Sequence, residues 1–358
     1  RHGRIRLVGD GNLAISQIRN YAPEYGSVLE ATGAGLVVAS TDLGHGGPPY
    51  PARKFEAEGV TFVADNTGHV IEAASCPTIR LSRCTVYQRH AGGNGLLVKS
   101  SWYADFERTL IFGPAGASGT GIVAGTDTFA GLFTLRNCIV DVWRDGIDWQ
   151  NGEFANVSVQ NTSIQNCTRN GIRASGGTLR HLFLSNIYFE GESRECDIRG
   201  IGGVIKHLKI DQMLVLGGSP SGSSYITDRV IDIDETSSVE ITGVYVFRLY
   251  RPFCHIGAVD NFGANAGTAN HISIANDVAY SGPAMFLFSG VLPEFGGSVI
   301  WPGYHLGYDD PSAPIRLFDP AANAGTALTD RRTGARRIGA LALGGAAEFA
   351  NRTSALTI

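Results

Sequence analysis

Along most of this chain, apolar and polar residues alternate over runs of about five, stop at a bend rich in Gly, Asn or Ser, and then resume. A period of two carried by Val, Ile, Phe and Thr predicts short strands, and Asn and Gly at the bends suit backbone that must turn left-handed. Eight segments share one order: strand, bend of three to six residues, second strand, and a Gly/Ser/Asn-rich return. Their first strands are anchored by Phe55, Leu81, Phe106, Leu135, Val159, Leu184, Ile210 and Ile241, with a looser ninth at Ile274. Successive spacings are 26, 25, 29, 24, 25, 26, 31 and 33 residues.

A unit of this length is too short for a strand, a helix and two loops. It accommodates about three short strands per turn, each pairing in parallel with its copies above and below. Such units cannot bury their apolar faces alone and must stack. The predicted fold is therefore all-β, a single-stranded parallel β-helix, right-handed because parallel crossovers strongly prefer that hand. Residues 1–50, with the Gly/Pro loop STDLGHGGPPYPAR, read as an N-terminal cap, 51–290 as the coil, and 291–358 as a C-terminal tail or cap carrying the basic run DRRTGARR.

Stacking predicts columns of equivalent residues. Three positions after the anchors stand Cys84, Thr109, Cys138, Thr162, Ile187, Met213 and Val244, an inward column of small or apolar side chains. A second inward column is Leu96, Ile122, Ile147, Ile172, Ile198 and Ile231. His181, His207 and His271 share the slot three residues before the anchor, either as a metal ladder or as stacked turn residues, since Thr78, Tyr103 and Asn156 fill the same slot elsewhere.

Composition narrows the classes. The chain has 358 residues, 43% of them apolar and only 17% charged, with a net charge of −4. It presents no basic field for nucleic acid, and no apolar stretch approaches the roughly 20 residues that span a bilayer. A soluble protein without membrane insertion is expected. The six cysteines show no CxxC pair or zinc spacing, so free, buried thiols are expected, with no metal or other cofactor. The first residue is Arg1, with no Met or signal-like segment before it, which leads us to expect a trimmed piece.

From Asn170 to Ile198 the stretch NGIRASGGTLRHLFLSNIYFEGESRECDI resembles rungs of the right-handed parallel β-helix proteins of the pectate-lyase-like superfamily, and within it the phage tailspike and exopolysaccharide depolymerases. The resemblance covers roughly residues 50–290. It implies a groove on the outer face that binds a polysaccharide, a homotrimer, acidic residues that hydrolyse glycosidic bonds, and an extracellular or virion (phage tail) location. The polygalacturonase set of NTD, Asp-Asp, GHG and RIK motifs is not present in order: Gly44-His45-Gly46 precedes the coil and Asp309-Asp310 follows it. The calcium-binding aspartates of pectate lyases have no counterpart.

Six positions after the anchor, three consecutive turns carry Asp141, Gln165 and Glu190. Alternation places Tyr188 and Glu190 outward and Ile187 and Phe189 inward. Glu190 and Asp141 become the expected acid/base pair, with Glu192 as substitute for either. A neighbouring column holds Asp148, Arg173 and Arg199, with Asp145, Glu195 and Asp197 nearby and Trp143 and Trp149 flanking the cluster as sugar platforms or as packing residues. Acids concentrate here: residues 141–199 add Glu153 to those already named, whereas the rungs near 110–135 hold only Asp127. A salt-bridged ladder would also place charge on this face. Three functions remain open on these residues: a hydrolase, a lyase on a uronate polymer using Arg144, Arg169, Arg173 and Tyr188, and a glycan-adhering fibre without chemistry.

Overall fold

Rung pairs with rung as the repeat requires. Leu81 lies opposite Phe106, and the same register carries on through Leu135, Val159, Leu184, Ile210, Ile241 and Ile274, always in parallel. Here, in a computed structural model, the chain is an all-β parallel solenoid, compatible with a right-handed β-helix. The structure describes residues 4–8, 27–31, 35–39, 54–74, 76–190, 196–200, 202–216, 229–236, 238–247, 254–259, 272–275 and 286–288; among these there is no helix.

Both inward columns are core. Cys84, Thr109, Cys138, Thr162, Ile187 and Met213 are all buried, as are Leu96, Ile122, Ile147, Ile172, Ile198 and Ile231. The second column extends further than its sequence signal, through Ile71 to Leu36. A tight thread of aliphatic side chains down the axis is the main favourable term of the fold, since each fully buried Ile or Leu contributes roughly 1.5–3 kcal/mol. Cys84, Cys138 and Cys167 are buried free thiols, and Cys76 is buried with its Sγ on Thr78 O. Burial pushes the Cys138 thiol up to about 11, so it behaves as a small apolar group.

One residue turns each first strand into the second. Gly59, Arg83, Arg108, Asn137, Asn161, Asn186 and Gln212 form a column two positions after the anchors, all with φ between 46° and 66°. Their backbone bonds continue the ladder through the bend: Arg83 N–H donates to Glu107 O at 2.9 Å and Asn137 N–H to Gln160 O at 3.0 Å. The amide of Asn186 donates to Asn161 Oδ1 at 2.9 Å, so the bend is stacked by side chains as well. A left-handed residue is cheap for Gly and Asn and costs more for others. Val142 is the expensive case, β-branched at φ 62°.

One sequence expectation is corrected. Phe55 pairs with Ile79, and Leu81 faces Ala57, so the first anchor is two residues out of register. Gly59 takes the bend position of that turn, and a slip of two keeps the same face inward; Phe55 is buried either way. Arg4–Val8, Ser27–Ala31 and Leu36–Ala39 pair in parallel with Lys54–Glu58, Val60–Ala64 and His69–Ala74, forming a rung within the stretch read as a cap. At the other end Phe286–Phe288 pairs with Cys254–Val259, and the tail with its basic run lies outside the described residues. No helix of the described residues is long and apolar enough to cross a membrane.

Two substitutions check this account. Ile172→Ala should destabilise the coil by about 2–5 kcal/mol in urea unfolding, because its neighbours Ile147 and Ile198 are held by their own rungs and cannot close the void. Val142→Asn should raise stability by about 1 kcal/mol, since Asn tolerates the left-handed backbone that Val resists; an unchanged urea midpoint would show that the bend stores no strain.

Candidate functional site

The second strand of each turn projects an outward column that runs Tyr87, Phe112, Asp141, Gln165, Glu190 from rung to rung. Its lower part is apolar: Phe112 is packed by Tyr87, Leu110 and Ile139. Its upper part is polar, with Ser163 and Tyr188 beside Gln165 and Glu190 on the same strands. Asp141 and Glu190 are thus brought onto one line two rungs apart, as the alignment predicts. Glu190 is exposed and accepts a hydrogen bond from the Tyr188 hydroxyl at 2.8 Å. Burial, with the Glu190 hydrogen bond and charge added, pushes the Tyr188 phenol up to about 12.

Asp141 differs from its expected exposure. It points outward, yet it is buried, and the amide of Asn166 on the next rung donates to its Oδ1 at 2.7 Å. Asn166 itself sits at a left-handed bend, with φ 49°. Glu192 and Glu195 lie outside the described residues.

The neighbouring strand carries a denser cluster. Asp145 is fully buried and surrounded by guanidinium groups. Arg169 holds it through two nitrogens, Nε at 2.9 Å from Oδ1 and Nη2 on Oδ2, while Asn170 Nδ2 donates to Oδ1 at 2.7 Å. Arg144 and Arg173 stand 3.5 and 3.8 Å from Oδ2. A bidentate guanidinium plus a neutral amide is the arrangement that makes a buried carboxylate tolerable. Three residues along the strand, Asp148 faces Arg173 and, one rung higher, Arg199. Gln150 Nε2 donates to Asp148 Oδ2 at 3.3 Å, and Oδ1 has no hydrogen-bond partner. Burial raises the Asp148 carboxyl, opposed by Ser175, Arg173 and Gln150. The column continues to Asp232, which the sequence reading did not include.

Of the two roles open to Trp143 and Trp149, sugar platform or packing residue, their complete burial leaves the second and removes them from the substrate-binding set. Val142 breaks the alternation with its positive φ, so Trp143 turns inward and its Nε1 donates to Ile111 O at 3.1 Å. Trp149 shares the inward parity of Ile147 and packs edge-on against Phe133, with ring centroids 5.4 Å apart. Neither ring can meet a sugar.

Asp197 is likewise internal. Gly95, Gly121, Gly146 and Gly171 stack so closely that a Cβ on any of them would fall within 2.9 Å of the next rung's carbonyl. Asp197 continues this glycine column, between the paired Cys196 and Ile198. It is buried, its Oδ2 lacks a partner, and burial pushes its carboxyl up to about 8.

Part of the acidic concentration does form a charge ladder. Glu153 is paired with Arg180 and lies 3.7 Å from Lys206, and Asp105 joins Arg80 at 3.2 Å and Arg136 at 3.0 Å. Arg180 holds the Glu153 carboxyl below the usual range. His181 and His207 stack face to face with centroids 4.8 Å apart, while His271 lies outside the described residues. Among the described residues no three His, Cys, Asp or Glu side chains converge to hold a metal ion. Comparison with protein-family models, with curated proteins and with solved structures finds no match to this chain.

The glycine-column acid makes a pH prediction with a definite sign. Asp197 titrates near 8 in the fold against 3.8 ordinarily, so the folded chain holds its proton more tightly than the unfolded chain. Stability is therefore undiminished below about pH 4 and falls as pH rises towards 8. Asp197→Asn should raise the urea midpoint at pH 8 and above, with the gain shrinking steadily on acidification towards pH 4. A pH-independent difference between the two proteins would contradict the assignment.

Proposed function

We propose that this chain is a polysaccharide depolymerase that hydrolyses glycosidic bonds of a bacterial capsular or exopolysaccharide with two carboxyl groups, Glu190 and Asp141. The observation that carries this reading is the shared outward column on which both stand, separated only by Gln165. Two rung steps amount to about 9–10 Å between backbones. Inverting glycosidases hold acid and base about 6.5–9.5 Å apart so that water fits between base and sugar, whereas retaining enzymes need about 5–5.5 Å. The spacing supports inversion.

In that mechanism one carboxylic acid gives its proton to the glycosidic oxygen as the bond to the anomeric carbon breaks. The other carboxylate takes a proton from a water whose oxygen attacks that carbon from the opposite face. In this reading the exposed Glu190 meets the chain of sugars, with the half-buried Tyr87 on the same line. Homotrimer formation and an extracellular or virion setting belong to the same proposal, through the family the rungs resemble.

Elimination on a uronate is supported less well. It needs an arginine for the substrate carboxylate, and Arg144, Arg169 and Arg173 are all directed at Asp145. Its candidate base, Tyr188, has a phenol pushed up to about 12, far from a proton acceptor at neutral pH. One observation favours a second assignment within hydrolysis: Asp148 stands in register with Arg173 on the neighbouring column with an unmet Oδ1, and burial raises its carboxyl.

Incubation with capsular and exopolysaccharides should release reducing ends without an unsaturated sugar chromophore. Glu190→Gln should lower turnover by about 10²–10⁴-fold while leaving the unfolding midpoint nearly unchanged. Asp141→Asn should behave alike in turnover. Should Asp148→Asn abolish turnover and Glu190→Gln leave it intact, the acid belongs to the Arg173 column.

A further inference from the structure

Large apolar side chains are exposed where two neighbouring first strands begin. Trp102 and Tyr103 are 43% and 53% exposed, and Leu132, in register with Tyr103 on the next rung, is 39% exposed. Gly131 contributes no side chain here, and a Cβ built on it would lie 4.0 Å from Tyr103 Cε1, so the phenol ring lies against bare backbone with its outer face uncovered. The same column continues upward through Asn156, His181 and His207. Asn156 and His181 are exposed, and the two imidazoles are stacked 4.8 Å apart.

This strip differs from the surface beside it. None of its positions carries a formal carboxylate, ammonium or guanidinium. The charges that border it are engaged with one another: Asp105 with Arg80 and Arg136 on one side, Glu153 with Arg180 and Lys206 on the other. An ionic partner would find no complementary field there. A neutral molecule with flat C–H faces and many hydroxyls would find both kinds of contact, aromatic rings at one end and amide and imidazole groups at the other. Burial, the neighbouring His181 and Lys206 lower the His207 imidazole, so at neutral pH it is uncharged and offers one donor and one acceptor.

We propose that this strip is a binding site for a neutral oligosaccharide laid along the coil axis, with one pyranose ring stacked on Trp102 and Tyr103 and its neighbours hydrogen-bonded to Asn156, His181 and His207. Four rung steps separate Tyr103 from His207, about 19 Å, enough for a short run of sugars. The strip lies on a different strand of each turn from Asp141 and Glu190. It therefore acts as a second, non-hydrolytic contact to a glycan chain, and it stands whether or not the hydrolytic reading holds.

Trp301 lies outside the described residues and is replaced by phenylalanine; in that background Trp102 supplies its own reporter, because it is exposed while Trp143 and Trp149 are sealed in the core. Iodide quenching of tryptophan emission is measured with neutral glucose hexasaccharides of α-1,4, β-1,4 and β-1,3 linkage. At least one should protect the quenchable fraction in a saturable way. Trp102→Ala should remove that signal, and Tyr103→Ala should weaken binding at least about tenfold by calorimetry, with the wild-type unfolding midpoint kept by the Tyr103 variant, since that side chain is more than half exposed. Glu190→Gln should bind as the wild type does. Failure of all three sugars to protect overturns the proposal, as does protection by an oligogalacturonate alone. Quenching protection that follows protein concentration instead of sugar would assign the strip to a contact between copies and overturn it equally.

Discussion

Every feature of this protein depends on the parallel hydrogen-bond ladder that sets one rung on the next about 4.8 Å apart. Because the bonds persist even through the left-handed bend residues, a position in one turn meets the same position in the next. Sequence repetition is thereby converted into columns of identical environment. The isoleucine thread from Ile122 to Ile231, the asparagines at the bends and the stacked histidines are all products of that single constraint.

The ladder also explains where charge collects. An outward column adds a side chain every rung, so like charges would repel along the axis unless partners alternate with them. Asp105 between Arg80 and Arg136, and Glu153 with Arg180 and Lys206, solve this at the surface, where each pair contributes little stability. Asp145 solves it in the interior, where loss of Arg169 would leave a buried charge with poorer company. Asp148 and Asp197 are left with incomplete hydrogen bonding, and both are raised by burial. Buried acids of that kind cost stability, and a rung tolerates them because the aliphatic columns on either side hold its backbone in place.

Two outward strips emerge with different chemistry. One passes from the half-buried Tyr87 and the buried Phe112 and Asp141 to Glu190, whose carboxyl is the exposed one. The other passes from Trp102 and Tyr103 to His207 and offers rings and neutral hydrogen-bonding groups. They belong to different strands of the same turns, so a bend of one left-handed residue separates them. The rigid spacing of rungs would hold any extended ligand in step with both.

The repeat, the strand class, the two inward columns and the register from Leu81 onward were legible in the sequence, because burial on a two-residue period is written in side-chain type alone. What the sequence could not decide was set by contacts between rungs. Val142 reversed the alternation ahead of Trp143 through its backbone angle, Asn166 covered Asp141 from the rung above, and Gly59 fixed a bend that moved Phe55 by two positions. Asp197 looked like one more surface acid until the glycine column beneath it placed its carboxyl inside the wall. Alternation reports which face a residue occupies, but exposure depends on what the next rung lays over it, and only the assembled stack determines that.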